Sequence, residues 1–117
     1  MPSRSPLHTL LDIRDNAVLA RNWAEGQTLD SFGENLLVFY AVTRCLEIIS
    51  EASRRLPEAI RDSHPELPWR AIMDVGNFYR HQYDNVSEDA VWRTVAQRLP
   101  ELLAVVEAEI ARLQDNH

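Results

Sequence analysis

Apolar positions recur along this chain at spacings of three and four, the period of a helix with one buried face. Leu10, Ile13, Ala17, Ala20 and Ala24 form the first such stripe and predict a helix over about 7–24. Ser5 before Pro6 is a start signal, because serine accepts an orphan amide and proline tolerates the first helical turn. Gly26 marks its end. Thr28 predicts the cap of a short turn over 29–32, with Gly33 as the break before the next pattern. From Glu34 to Leu56 the chain is apolar on nearly every face, through Leu36, Leu37, Val38, Phe39, Tyr40, Val42, Cys45, Leu46, Ile48 and Ile49. Such a helix belongs at the centre of a bundle or in an interface between subunits.

Pro57 opens a short segment through Ser63, and the string His64-Pro65-Glu66-Leu67-Pro68 reads as a turn. Pro68 suits the start of a helix over about 69–80. Asp84 and Asn85 read as a loop, and Ser87 followed by Glu88 and Asp89 as a helix N-terminus. The last pattern runs to about Gln114 through Val91, Val95, Leu99, Leu102, Val106 and Leu113. Pro100 lies inside it and predicts a kink or split near Arg98–Leu99. No stretch alternates with the period of a strand. The expectation is an all-α, up-and-down helical bundle of about five helices, one domain over 1–117.

Composition narrows the picture. The chain has 117 residues, 45% of them hydrophobic and 26% charged, which suits a soluble globular domain and excludes a disordered or collagen-like chain. Cys45 is the single cysteine, so no internal disulfide forms and a reducing, cytoplasmic location is expected. No apolar run approaches the roughly 20 residues of a membrane span, and no membrane partner is expected. The net charge is −6, and all 12 basic residues are arginine. An acidic chain binds nucleic acid poorly in general, so any RNA contact needs a local arginine cluster.

The unusual stretch is Gly76-Asn77-Phe78-Tyr79-Arg80-His81-Gln82-Tyr83-Asp84-Asn85. His81 has the chemistry of a general acid or base near neutral pH. Arg80 has that of a phosphate or oxyanion clamp. The plainer alternative is a polar helix C-terminus, where such residues are common. Arg44, Glu47 and Glu51 share one helix face and read either as solvated ion pairs or, with Arg70, as polar support for a site. The histidines are scattered with no pair three or four apart, so neither a metal nor another cofactor is expected. Cys45 lies in an apolar helix and reads as core.

The order of several strings resembles the HepT-like proteins of the HEPN superfamily. These strings are Phe39-Tyr40-Ala41-Val42-Thr43-Arg44-Cys45-Leu46-Glu47, Pro65-Glu66-Leu67-Pro68-Trp69, the stretch 76–86, and Val91-Trp92. The resemblance implies an all-helical homodimer whose cleft cuts RNA without metal. It further implies the toxin half of a toxin–antitoxin pair, with a minimal nucleotidyltransferase as antitoxin. Asn77, His81 and Tyr83 match the family's polar residue, histidine and tyrosine. The place of its arginine is Gly76, and the nearest arginine is Arg80. On this reading His81, Arg80 and Asn77 are catalytic, and Tyr83 is the tyrosine that the antitoxin adenylylates. The alternative within the same fold is a nucleotide-binding or partner-docking module with impaired catalysis. The surplus of apolar positions over 36–49 independently points to a homodimer. Arg80 and His81 are expected at an exposed cleft.

Overall fold

Local signals set the helix starts. The computed structural model describes residues 5–74 and 88–115, and every regular element among them is helical. Helix α1 spans Pro6–Ala24. The Ser5 hydroxyl accepts the His8 amide at 3.3 Å, and Pro6 opens the first turn. All five residues of the predicted stripe are buried. Three of them are alanines, which leaves little side-chain bulk between α1 and the helices packed on it. Gly26 follows with φ +81°, a left-handed conformation in which glycine carries no Cβ penalty.

Helix α2 spans Leu29–Glu34 and α3 spans Leu36–Arg55. Thr28 and Ser31 cap each other reciprocally at 3.1 and 2.8 Å. The break between α2 and α3 falls at Asn35, not at the predicted Gly33, which lies inside α2. Asn35 has φ −101° and ψ 92°, and its side chain accepts the Val38 amide at 3.1 Å. A residue able to cap the next helix outcompetes the glycine as the stopping point.

Helix α4, Glu58–Asp62, precedes the predicted proline turn, and residues 69–74 form α5. The C-terminal pattern is one helical column in three parts. These are α6 (Glu88–Arg93), a π-helical turn (Thr94–Arg98) and α7 (Leu99–Asp115). The change of helix type sits where Pro100 predicted a disturbance. Proline offers no amide and its ring collides with the carbonyl four residues back, here Ala96. The wider π turn relieves that collision and bonds Leu99 N–H to Thr94 O instead.

The directions follow from contacts between ends. Arg55, at the end of α3, meets Asp12, early in α1, at 3.9 Å, so the two helices are antiparallel. Trp92 in α6 packs on Phe32 just before α3, whereas Glu109 late in α7 meets His64 well after it. The α6–α7 column therefore runs alongside α3 in the same direction. The core gathers Leu10, Ile13, Val42, Val91, Leu99 and Val106 around α1, with Phe32 fully buried between Phe39 and Trp92. The predicted all-α bundle is present, with the short helices α2 and α4 at the capped turn after Thr28 and the short segment opened by Pro57.

Candidate functional site

Asn77, Arg80, His81 and Tyr83 lie outside the described residues, as does the helix start predicted at Ser87. What the structure describes is the frame on either side of them, α5 leading in and α6 leading out.

Helix α5 is fastened at its start and again at Met73. At its start the Trp69 indole donates to the His64 carbonyl at 3.0 Å. The His64 Nε2 lies 2.7 Å from Glu109 Oε1 on α7, and Arg112 Nε donates to the other oxygen at 2.8 Å. Burial alone pushes the Glu109 carboxyl up, but the hydrogen bonds from His64 and Arg112 and their charge outweigh it, and its pKa is lowered. At the second point the Met73 carbonyl accepts from Ser50 Oγ at 2.7 Å and from Arg54 Nη2 at 2.5 Å. Arg61 Nη1 touches Met73 Sδ at 2.7 Å, and its buried Nε has no hydrogen-bond partner among the described residues. Residues of α3 and α4 thus bring two guanidinium groups to the last described residues of α5, immediately before residues 75–87 in the chain.

Sequence reasoning did not single out this junction. Ser50 and Ser53 in an apolar helix were the available signal, since a buried hydroxyl needs a partner. Ser53 finds its own within the helix, at Ile49 O, 2.8 Å. Ser50 bonds a residue 23 positions away, which no local pattern discloses.

Arg44 and Glu51 border one shallow depression on α3, and Arg70 does not join them. Arg44 is exposed on α3 and pairs with Glu47 at 3.4 Å. Glu51 meets Arg54 and Arg55, each at 3.6 Å. That face of α3 carries solvated ion pairs, the plainer of the two expectations. Arg70 is exposed on α5 and makes no hydrogen bond or ion pair among the described residues. Cys45 is buried in α3, and burial pushes its thiol up against a smaller opposing effect of Arg44, which disfavours the thiolate and fits the core placement. Among the described residues no helix is long and apolar enough to cross a membrane.

Comparison with known proteins adds a family to this frame. The family model described as "Ribonuclease HepT-like" matches residues 13–109, a span that includes α5, α6 and all residues between them. The chain is 31% identical over 115 residues to "Putative RNase MJ0125" of Methanocaldococcus jannaschii, covering 98% of this chain and 99% of that one. It is 32% identical over 102 residues to "Putative RNase MJ1216" of the same organism, covering 87% and 84%. It is also 32% identical over 99 residues to "Probable ribonuclease HepT" of Thermococcus cleftensis, covering 85% and 90%. No solved structure matches the chain.

Proposed function

This chain belongs to the HepT-like ribonuclease family, and from that premise we propose that it is a metal-independent ribonuclease toxin acting as a homodimer in the cytoplasm. His81 takes the proton of a ribose 2′-hydroxyl as its oxygen attacks the adjacent phosphorus. The bond from phosphorus to the 5′-oxygen breaks, the protonated His81 returns the proton to that oxygen as it leaves, and a 2′,3′-cyclic phosphate remains. Arg80 stabilises charge on the phosphoryl oxygens, and Asn77 orients the pair. The observation that carries this reading is the His81-Gln82-Tyr83 string inside the span that the family model matches. The junction at Met73 supports it, because Arg61, and Arg54 shared with Glu51, place guanidinium groups beside the residues that lead into that segment in a chain of net charge −6.

Silencing falls to a minimal nucleotidyltransferase partner that adenylylates Tyr83. The added bulk and negative charge beside Arg80 and His81 occupy the guanidinium and repel an RNA phosphate. Dimerisation is supported by Leu36, Leu37 and Tyr40, three large apolar side chains that α3 leaves 60–69% exposed.

A second reading rests on Gly76, which stands in the place of the family's arginine. Under it the chain binds nucleotides or docks its partner without cutting RNA. One experiment separates the two. Purified protein is incubated with total RNA in the presence of a chelator, beside the His81→Ala variant. The expected result is cleavage by the parent chain alone. Identical RNA patterns from both proteins overturn the ribonuclease reading.

A further inference from the structure

A groove of about 640 Å³ opens between the C-terminal end of α1 and the column formed by α6 and the π turn. Its two walls differ in chemistry. The α1 side is mixed but carries the polar groups: Arg21 and Asn22 in its last turns, Glu25 at its end and Gln27 after the Gly26 turn, beside the apolar Val18 and Ala24. The other is apolar and partly aromatic, with Trp92, Val95 and Ala96. Phe32 holds the Trp92 ring from within the core, centroid to centroid at 5.2 Å.

The polar wall has unused capacity. Arg21 lies in the last turn of α1, and Glu25 is the residue that caps it, in extended conformation just past the helix. They make no ion pair with each other or with any group among the described residues. Gln27 accepts the Ser31 hydroxyl through Oε1 at 2.8 Å, which leaves its amide nitrogen to donate. Both charges, two amides and one indole ring therefore line one open space.

We propose that this groove holds one unpaired nucleotide of an RNA strand, an inference that rests on the RNA-directed reading above. A nucleobase has two apolar faces and a polar edge, which matches one aromatic wall and one polar wall. The base lies against Trp92 and Ala96, as bases do on aromatic platforms in single-strand binders. Asn22, Glu25 and Gln27 meet its edge, with Glu25 accepting a ring or exocyclic N–H. Arg21 holds the phosphate, and the negative charge of Glu25 keeps the phosphate at the Arg21 end. A paired base cannot enter, because its edge is already bonded, so the groove selects single-stranded RNA. A purely apolar ligand fits poorly, since it would desolvate the polar wall without bonding it.

The test is binding to the intact, unmodified chain of the four nucleoside monophosphates and the matching nucleosides, followed by amide and indole NMR shifts. A monophosphate has no internucleotide bond to cut, so binding is read without catalysis. Expected are shifts at the Trp92 indole and at the backbone of Val18, Asn22 and Ala96. Arg21→Ala, a change at an exposed residue with no hydrogen bond or ion pair among the described residues, is expected to weaken monophosphate binding about tenfold and to leave nucleoside binding unchanged. Ala96→Trp, on the exposed side of the π turn, is expected to block both. The inference is overturned if about 10 mM monophosphate moves none of these signals, or if Arg21→Ala weakens neither ligand. Cleavage of RNA by a chain whose groove stays silent sinks this inference alone. Nucleotide binding in the groove by a chain that never cuts RNA sinks the ribonuclease reading and leaves the groove standing.

Discussion

Glu109 is only 6% exposed on α7, and a carboxylate so placed is tolerated only when its charge is met. His64 and Arg112 meet it from two sides, and Glu66 stands near the other His64 nitrogen at 3.5 Å. The lowered pKa of Glu109 fixes a sign. A folded-state pKa below the unfolded value gives stability that is complete above the usual 4.5 and is lost as pH falls through the folded value. Glu109→Ala is expected to lower stability at pH 7 by about 2 kcal/mol, since a charge-assisted bond contributes roughly that much. The gap between variant and parent is expected to narrow as the pH drops below 4.5. Urea denaturation at a series of pH values measures both effects. A gap that widens toward acid contradicts the assignment of His64 and Arg112 as partners of a charged carboxylate. In the sequence, Glu109 sat within a helical pattern as one more acidic residue, and nothing local separated it from its exposed neighbours.

At the scale of elements, the boundaries obey rules that act over three or four residues. Ser5 and Thr28 were readable as caps because their partners, His8 and Ser31, lie three positions on. Thr28→Ala is expected to cost about 1 kcal/mol by removing the bond to the Ser31 amide. Gly26→Ala is expected to cost about as much for a different reason. No atom lies within 4 Å of the Cβ it would add, so the penalty is that of φ +81° alone. Thermal unfolding of the two variants and their combination checks this. Clear stabilisation by Gly26→Ala would contradict the left-handed turn. The α2–α3 break shows where such local reading fails. Gly33 and Asn35 both signal a stop, and the choice between them depends on where Phe32, fully buried, and Val38 must face the core.

For the molecule as a whole, the question is what covers the start of α3. Leu36, Leu37 and Tyr40 are 61, 69 and 60% exposed, more than the other exposed large apolar residues Val18, Leu19, Trp23 and Leu29. Leu36 and Tyr40 are four apart and share a face, so they form a patch rather than scattered positions. The proposed homodimer accounts for it. Leu37→Glu, on a side chain that packs against little of its own chain, is expected to yield a monomer with unchanged helicity. Sedimentation velocity with far-ultraviolet circular dichroism measures this. A parent chain that sediments as a monomer at micromolar concentration leaves the patch without this explanation.

The sequence alone determined the helical class, most helix starts, the buried stripes of α1 and the C-terminal column, and the disturbance ahead of Pro100. Each of these depends on residues within about one turn of one another, where steric limits and amide pairing operate without reference to the rest of the chain. It also supplied the reading of Asn77, Arg80, His81 and Tyr83, which lie outside the described residues and so rest on their order along the chain and on the family match. Only the tertiary structure decided the rest. It showed that Ser50, Arg54 and Arg61 converge on Met73, that His64 closes on Glu109 across 45 positions, and that Arg21 and Trp92 share a groove. These are meetings between distant residues. Their partners are selected by how whole helices pack, and periodicity along one helix carries no record of what faces it.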